Sequence, residues 1–425
     1  MRRTVSGLCA LASLVGCGDG GDTPPPGGTG ATYRPHHAQT MLFGTTDNAE
    51  VVKVLPEADL ALVVASKARK VTLVEVSQGT LREVETRALF PDDPSESELT
   101  HVAVAKDGAW AVLTRTQVTK DGDGATTGCA GSLVFIDARR GATFGAVLAE
   151  VPVGPMPDAV DVSPDGRWVV SANERDVVWG KCEGLEGLEG PSLSFLDVSG
   201  GPAAAVEVKR VMMTEDLERE PEQVVFARDS DLVVATLQDS HEVLFLRRTA
   251  ALAAASPTEA LGTLVTLPQN QIAQDAWPDG VVGFLDGGGR EVFATAGEAN
   301  DTLCLLDAAG TVLHTIEVTE AEVPADFPRD GSWGPLFRPD SVTAFQRGGK
   351  SYLAASLKAS GAVGVWDVTD PGAPVKITVE KVGKDDPATR DQESTLGTEG
   401  ISASDDGRFI ITANEGESSV SLLVP

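Results

Sequence analysis

The sequence predicts an all-β protein, a seven-bladed β-propeller. Three observations lead there. One unit of about 58 residues recurs seven times. Each unit reads as four strands. The last copy is one strand short, and a stretch near the N-terminus is suited to fill the place.

The unit is clearest in "DAVDVSPDGRWVVSA", residues 158–172. "DAVDV" and "RWVVSA" are Val-rich strand runs. "SPDG" between them has the Pro and Asp-Gly of a hairpin turn. "LSFLDV" and "AAVEVKRV" supply a third and a fourth strand. Related units start near Glu50, Thr100, Pro221, Pro278, Pro339 and Thr398. Four strands repeated at this period close into a ring, which leaves few sheet edges open. Only three strands fit after Glu399, so "HAQTMLFGT", His37–Thr45, is expected to complete the seventh blade. The propeller is expected to span residues 33–425.

The preceding residues read as processing signal and tether. Arg2 and Arg3 form a basic start, and "GLCALASLVG" is a short apolar run. It ends in "LVGC", Leu14–Cys17, which resembles a bacterial lipobox. Residues 1–16 are therefore expected to be a lipoprotein signal peptide, with Cys17 lipidated. Residues 17–32, rich in Gly and Pro, read as a flexible tether. The apolar run is too short to span a membrane as a helix. Gly18, where an Asp would have hinted at inner-membrane retention, favours an outer-membrane lipoprotein facing the periplasm or the cell surface.

Charge narrows the partners. With 63 acidic against 34 basic residues the net charge is −29, which speaks against nucleic acid. It suits a solvated surface, a divalent cation or a basic partner.

Several stretches are together more specific. "GPMPDAVDVSPDGRWVVSANE", "EPEQVVFARDSDLVVATLQD", "GAVGVWDVTDPGAPV" and "TEGISASDDGRFIITANEGESSVSLL" resemble the choice-of-anchor I family. These are secreted propellers related to mesenchyme-specific cell-surface glycoproteins, and more distantly to YVTN-type propellers. The resemblance implies display outside the cell. Some members are labelled alkaline phosphatase-like, but no catalytic motif carries over residue by residue. This chain departs from the pattern by insertions between the second and third strands of units two and three.

In a propeller the first strand of each blade lines a central channel. Its start shares a face with the loop joining strands two and three. Glu50, Asp158, Glu222, Asp279, Asp340 and Glu399 should therefore ring one mouth, with Thr100 and His101 in unit two. Such carboxylates suit Ca²⁺, which takes about 6–8 oxygen ligands. They serve equally to satisfy backbone N–H groups of the adjoining blade. Asn173, Glu174, Glu298, Asn300, Asn414 and Glu415 are expected on the same face. So are Trp179, Trp277 and Trp333, either as a sugar or peptide platform or as packing between blades. Trp110, Trp168 and Trp366 fall inside strands and read as core. "KDGDGATTG", residues 120–128, lacks full calcium-loop spacing and reads as a polar turn.

Catalytic motifs are sparse. The chain has no Gly-x-Ser-x-Gly and no His-Glu-x-x-His. Of five histidines only His101 falls at the channel mouth, as a base or as a satisfied polar group. Cys129 and Cys182 lie in the two insertions, on one face, and are expected to pair outside the cytoplasm. Cys304 reads as a buried thiol. The expectation is a monomeric, lipid-anchored binding or scaffold protein of the cell envelope. Its expected partner is an envelope or extracellular protein or a glycan, with Ca²⁺ as the cofactor that the acids would suit. The alternative is a Ca²⁺-dependent hydrolase of phosphoesters or lactones.

Overall fold

Seven antiparallel sheets, one per repeat, make up the structure. The computed structural model describes residues 33–425 apart from 45–48, 57–58, 94, 176–181, 183–184, 186, 214–218, 257–261, 330–335 and 385–395. The signal, tether and Cys17 lie outside the described residues, as do Trp179 and Trp333. The propeller occupies Arg34–Pro425.

Blade 1 runs Ala49–Val54, Leu60–Ala65, Lys70–Ser77 and Thr80–Ala88, from inner to outer strand. Blades 3 to 6 repeat this order, with inner strands Pro157–Val162, Pro221–Phe226, Pro278–Leu285 and Pro339–Arg347. In blade 2 the inner position is split. Glu96–Glu98 and Val102–Val104 both pair with the long strand Trp110–Lys120. In blade 7 the outer strand is His36–Leu42, antiparallel to Ser419–Val424. Its register runs from His36 opposite Val424 to Leu42 opposite Ser419.

Middle strands are apolar at nearly every position because each sheet is covered on both faces. In Leu60–Ala65, Ala61 and Val63 join a cluster with Phe409, Ile411 and Leu422 of blade 7. Leu62 and Val64 face the other way, onto Val102, Leu113 and Ile136 of blade 2. The same division fills the gaps around the ring. Outer strands have one wet face and alternate, as in Val206–Met212.

Backbone approach is close at the inner strands. A Cβ at Gly280 would lie 2.6 Å from the Asp340 carbonyl oxygen of the next blade. One at Gly400 would lie equally close to the Glu50 carbonyl, where blade 7 meets blade 1. Glycine follows the acid there because the neighbouring strand leaves no room for a side chain.

The blade 2 insertion extends its second and third strands into a hairpin, Trp110–Lys120 and Thr126–Asp137. Its turn is held by the Asp121 carboxylate, which accepts the Asp123 and Ala125 N–H groups at 2.9 and 3.0 Å. "KDGDGATTG" thus closes a hairpin through backbone contacts. Cys129 on this hairpin is disulfide-bonded to Cys182 of the blade 3 insertion, with Cα atoms 5.9 Å apart. Cys304 is free and buried, and burial pushes its thiol up to about 12.

Candidate functional site

The inner strands of all seven blades line one central cavity of about 300 Å³. That volume is at the lower end for small-molecule sites, roughly 300–1,000 Å³. Glu50, Asp158, Glu222, Asp279, Asp340 and Glu399 all line it, together with Thr100 and His101. Further in are valines such as Val51, Val102, Val160, Val225 and Val282, with Lys53 and Asp161.

Backbone carbonyls of the acid residues tie the ring. The Thr236 hydroxyl of blade 4 donates to the Asp279 carbonyl of blade 5 at 2.6 Å. The Ser356 hydroxyl of blade 6 donates to the Glu399 carbonyl of blade 7 at 2.9 Å. Each hydroxyl sits on a second strand, buried among apolar neighbours, where an unpaired O–H would be costly. Asp279 and Glu399 thus join the preceding blade through their main-chain carbonyls, while their side chains line the cavity.

Crowding and burial govern their protonation. Burial raises Glu50, Glu222 and Asp279 well above the usual carboxyl range, and neighbouring acids add to it. Asp340 is also raised by burial, with Lys358 opposing. Glu399 is raised to about 7 by burial, again against Lys358.

Lys358 is the residue that motif reading missed. Its ammonium lies 2.5 Å from Glu399 Oε1, 3.3 Å from Asp340 Oδ2 and 3.9 Å from Glu298 Oε1. Despite burial, Asp340, Glu399 and Glu298 hold it protonated well above the ordinary lysine range. Its placement is built by the backbone. The Lys358 N–H donates to Arg338 O at 2.9 Å, and the Ala359 N–H to Phe337 O at 3.1 Å. The Asp301 carboxylate accepts the N–H groups of Leu336, Phe337 and Arg338, at 2.6, 2.9 and 2.9 Å. Gly361 then turns the chain in the left-handed region, φ 56°. Arg338 also reaches Glu298, at 2.5 Å.

The remaining predicted residues sort by contact. Glu415 pairs with Lys67 across the blade 7–blade 1 seam at 3.1 Å. Glu174 is half-buried at the end of its strand. Asn173 and Asn414 are fully buried. Their amides bind serine hydroxyls of their own blades at 2.9–3.1 Å, so they knit the sheet and present nothing to a ligand. Asn300 is also buried, and it accepts the Thr302 hydroxyl at 2.6 Å. Trp277 is 39% exposed, beside Asp279. Its ring lies near-parallel to His241, centroids 6.5 Å apart. Trp110 and Trp366 are core, whereas Trp168 is half-buried under the Arg248 guanidinium at 4.3 Å.

His101 is poorly suited to act as a base. Its Nδ1 accepts the Val160 N–H at 3.4 Å, and its Nε2 lies 3.2 Å from Gln223 Nε2. Burial and, next, Lys53 lower its pKa to about 3, too weak for proton abstraction near neutral pH. As for calcium, among the described residues no group of three or more His, Cys, Asp or Glu side chains is arranged to hold a metal ion. The six acids Glu50, Asp158, Glu222, Asp279, Asp340 and Glu399 belong to six different blades, and Lys358 supplies the positive charge on one side.

This cavity, with its seven inner strands, begins in a recognisable segment. Residues 50–187 match the Choice-of-anchor I domain. The match covers blades 1 and 2 and the first half of blade 3, and so includes Glu50, His101, Asp158 and both bridged cysteines. No curated protein matches the chain. Among solved structures it resembles the periplasmic gluconolactonase of Pseudomonas aeruginosa, at 14% identity, 88% of this chain, 91% of that one and TM-score 0.58. It also resembles virginiamycin B lyase from Staphylococcus aureus, at 10% identity, 91% and 98% coverage and TM-score 0.52. A third is the Cps50 (Swd1) propeller domain of Myceliophteria thermophila, at 10% identity, 92% and 99% coverage and TM-score 0.56. At 10–14% identity this likeness shows the propeller fold and no activity. The choice-of-anchor I match points to a cell-surface or extracytoplasmic protein.

Proposed function

We propose that this is a lipid-anchored, extracytoplasmic binding protein that takes its partner at the acidic mouth of the propeller. The observation that carries the reading is the cavity itself. Carboxylates from six blades converge on one opening. Titratable groups gathered and desolvated in one cavity are what a binding site requires. The alternative, a Ca²⁺-dependent phosphoesterase or lactonase, rests on fold likeness alone.

The partner is an envelope or extracellular protein or a glycan. A form beginning at Tyr33, without the lipid anchor, is expected to be retained on washed envelopes, and that retention is expected to fall at least tenfold in its Glu222→Gln/Asp279→Asn variant and to weaken with salt. Equal retention of both proteins would refute the mouth as the binding site. Turnover of a generic phosphoester or lactone by the Ca²⁺-loaded wild type, lost in the same variant, would favour the hydrolase.

The anchor has its own test. With "LVGC" at the end of the apolar run, Cys17→Ser is expected to leave the protein unprocessed or in the soluble fraction. A Ser variant that is processed and fractionates with membranes like wild type would remove the lipid from this account.

A further inference from the structure

The mouth is divided. On one arc Glu298, Asp340 and Glu399 share the Lys358 ammonium at 2.5–3.9 Å. On the neighbouring arc Glu222 and Asp279 line the same cavity, and among the described residues no lysine or arginine pairs with either. The strongest influences on Glu222 are its burial and four other carboxylates, Asp158, Glu298, Asp340 and Glu220. Around Asp279 they are burial, then Asp340, Glu222 and Glu298, with Lys358 only a weaker opposing charge.

We propose that the Glu222–Asp279 arc receives a primary alkylammonium group of the ligand, in the manner in which Lys358 occupies the adjacent arc. The inference rests on reading the mouth as the binding site, and it names the chemistry that site selects.

Two features favour an alkylammonium over a metal ion. Ca²⁺ needs about 6–8 oxygens converging at roughly 2.3–2.6 Å. Here the acids come from separate blades, and among the described residues no three-ligand group forms. An ammonium on a flexible stem has three donors and reaches scattered carboxylates at ordinary hydrogen-bond distances, as Lys358 does. The cavity wall supplies the second feature. The accessible lining is mainly polar, but half-buried Val225 and Val282 add an apolar strip to it beside the acids. An alkyl stem there would be removed from water while its charged end meets the carboxylates. A quaternary ammonium would lack the N–H donors.

Two sources carry this group: a free aliphatic diamine, and a lysine side chain of a partner protein. The probes 1,5-diaminopentane and Nα-acetyl-lysine methylamide represent them. Calorimetric titration is expected to show binding of at least one probe to wild type. Binding should weaken at least tenfold in Glu222→Gln/Asp279→Asn and be absent for 1,5-pentanediol. Preference for the lysine derivative would assign a protein source, and preference for the diamine a free amine.

A rescue experiment reads the same chemistry with the opposite sign. The bound probe should raise the melting midpoint of Lys358→Met by more degrees than that of wild type, since a second arc is then open. Failure of Lys358→Met to fold would leave the titration decisive. Equal shifts for all variants, or no binding of either probe alongside tight Ca²⁺ binding, would overturn the proposal. Envelope retention lost on neutralising the mouth, yet indifferent to both probes, would overturn this inference alone. Retention that survives neutralisation would overturn the mouth reading beneath it.

Discussion

A chain beginning at Ala49 is expected to unfold at a markedly lower midpoint than one beginning at Tyr33, by about 3 kcal/mol or more. The loss is expected throughout the ring and not only in blade 7. The strand His36–Leu42 holds the seam between the last blade and the first. It pairs along Ser419–Val424, and the Thr40 and Ser421 hydroxyls meet at 3.0 Å. Gln39 Oε1 accepts the Leu81 N–H of blade 1 at 2.7 Å. Met41 and Phe43 pack on the cluster shared by blades 7 and 1. Two apolar side chains at about 1.5–3 kcal/mol each account for the estimate, before the exposed edge of Ser419–Val424 is counted. Blades depend on their neighbours for both faces, so an opened seam is felt beyond it. Urea unfolding followed by far-ultraviolet circular dichroism would measure this. Midpoints that coincide would mean that the N-terminal strand is dispensable.

How far the sequence could be read depended on what each feature requires. The strands were legible because inner and middle strands are buried on both faces, which makes runs such as "RWVVSA" nearly continuous in apolar residues. Turns were legible because "SPDG" and "KDGDG" need Gly and Asp at set places. Cys129 and Cys182 could be paired because two insertions in successive blades must project side by side. The site was harder. A strand-start acid is identical on paper whether its carboxylate or its carbonyl matters, and only the structure shows Thr236 and Ser356 binding the carbonyls. Asn173 and Asn414 fall at the loop boundary in sequence, yet they point back into the sheet.

Lys358 was overlooked although a signal existed. The residue just after strand two is Glu174, Gln238, Glu298 and Glu415 in four blades, but Ser66 in blade 1 and Lys358 in blade 6. Lys358 belongs to the blade that follows the one carrying Glu298, and it lies 3.9 Å from that Glu. Lys67, one place further along in blade 1, meets Glu415 of blade 7 at 3.1 Å. Comparing one position across repeats would have singled out Lys358. Reading each motif alone could not.

Lys358→Met is expected to destabilise the ring by about 3–5 kcal/mol at pH 8, because one partner of a buried ion group is removed and three carboxylates lose it. The loss should be smaller at pH 5, where Asp340 and Glu399, both raised by burial, take up protons instead. The sign follows from linkage. Glu399 has an ordinary carboxyl value of 4.5 when unfolded and about 7 when folded. Between those values the folded chain binds more protons, so stability falls as pH rises through them. Stability from this group is complete below 4.5 and lost above 7, a change of about 3 kcal/mol. Glu222 and Asp279 are raised by burial and act in the same direction. Acids held by a close cationic partner work the other way. Asp137, held at about 2 by Arg139, contributes stability that is lost only on strong acidification. Wild type should therefore be most stable near pH 5 and weaken toward pH 8 in metal-free buffer of low ionic strength. The slope should steepen in Lys358→Met and flatten in Glu222→Gln/Asp279→Asn. Urea midpoints at pH 5, 6, 7 and 8 for the three proteins would measure it. Parallel lines would mean that these carboxyls titrate alike folded and unfolded, and that the cavity is open to bulk water.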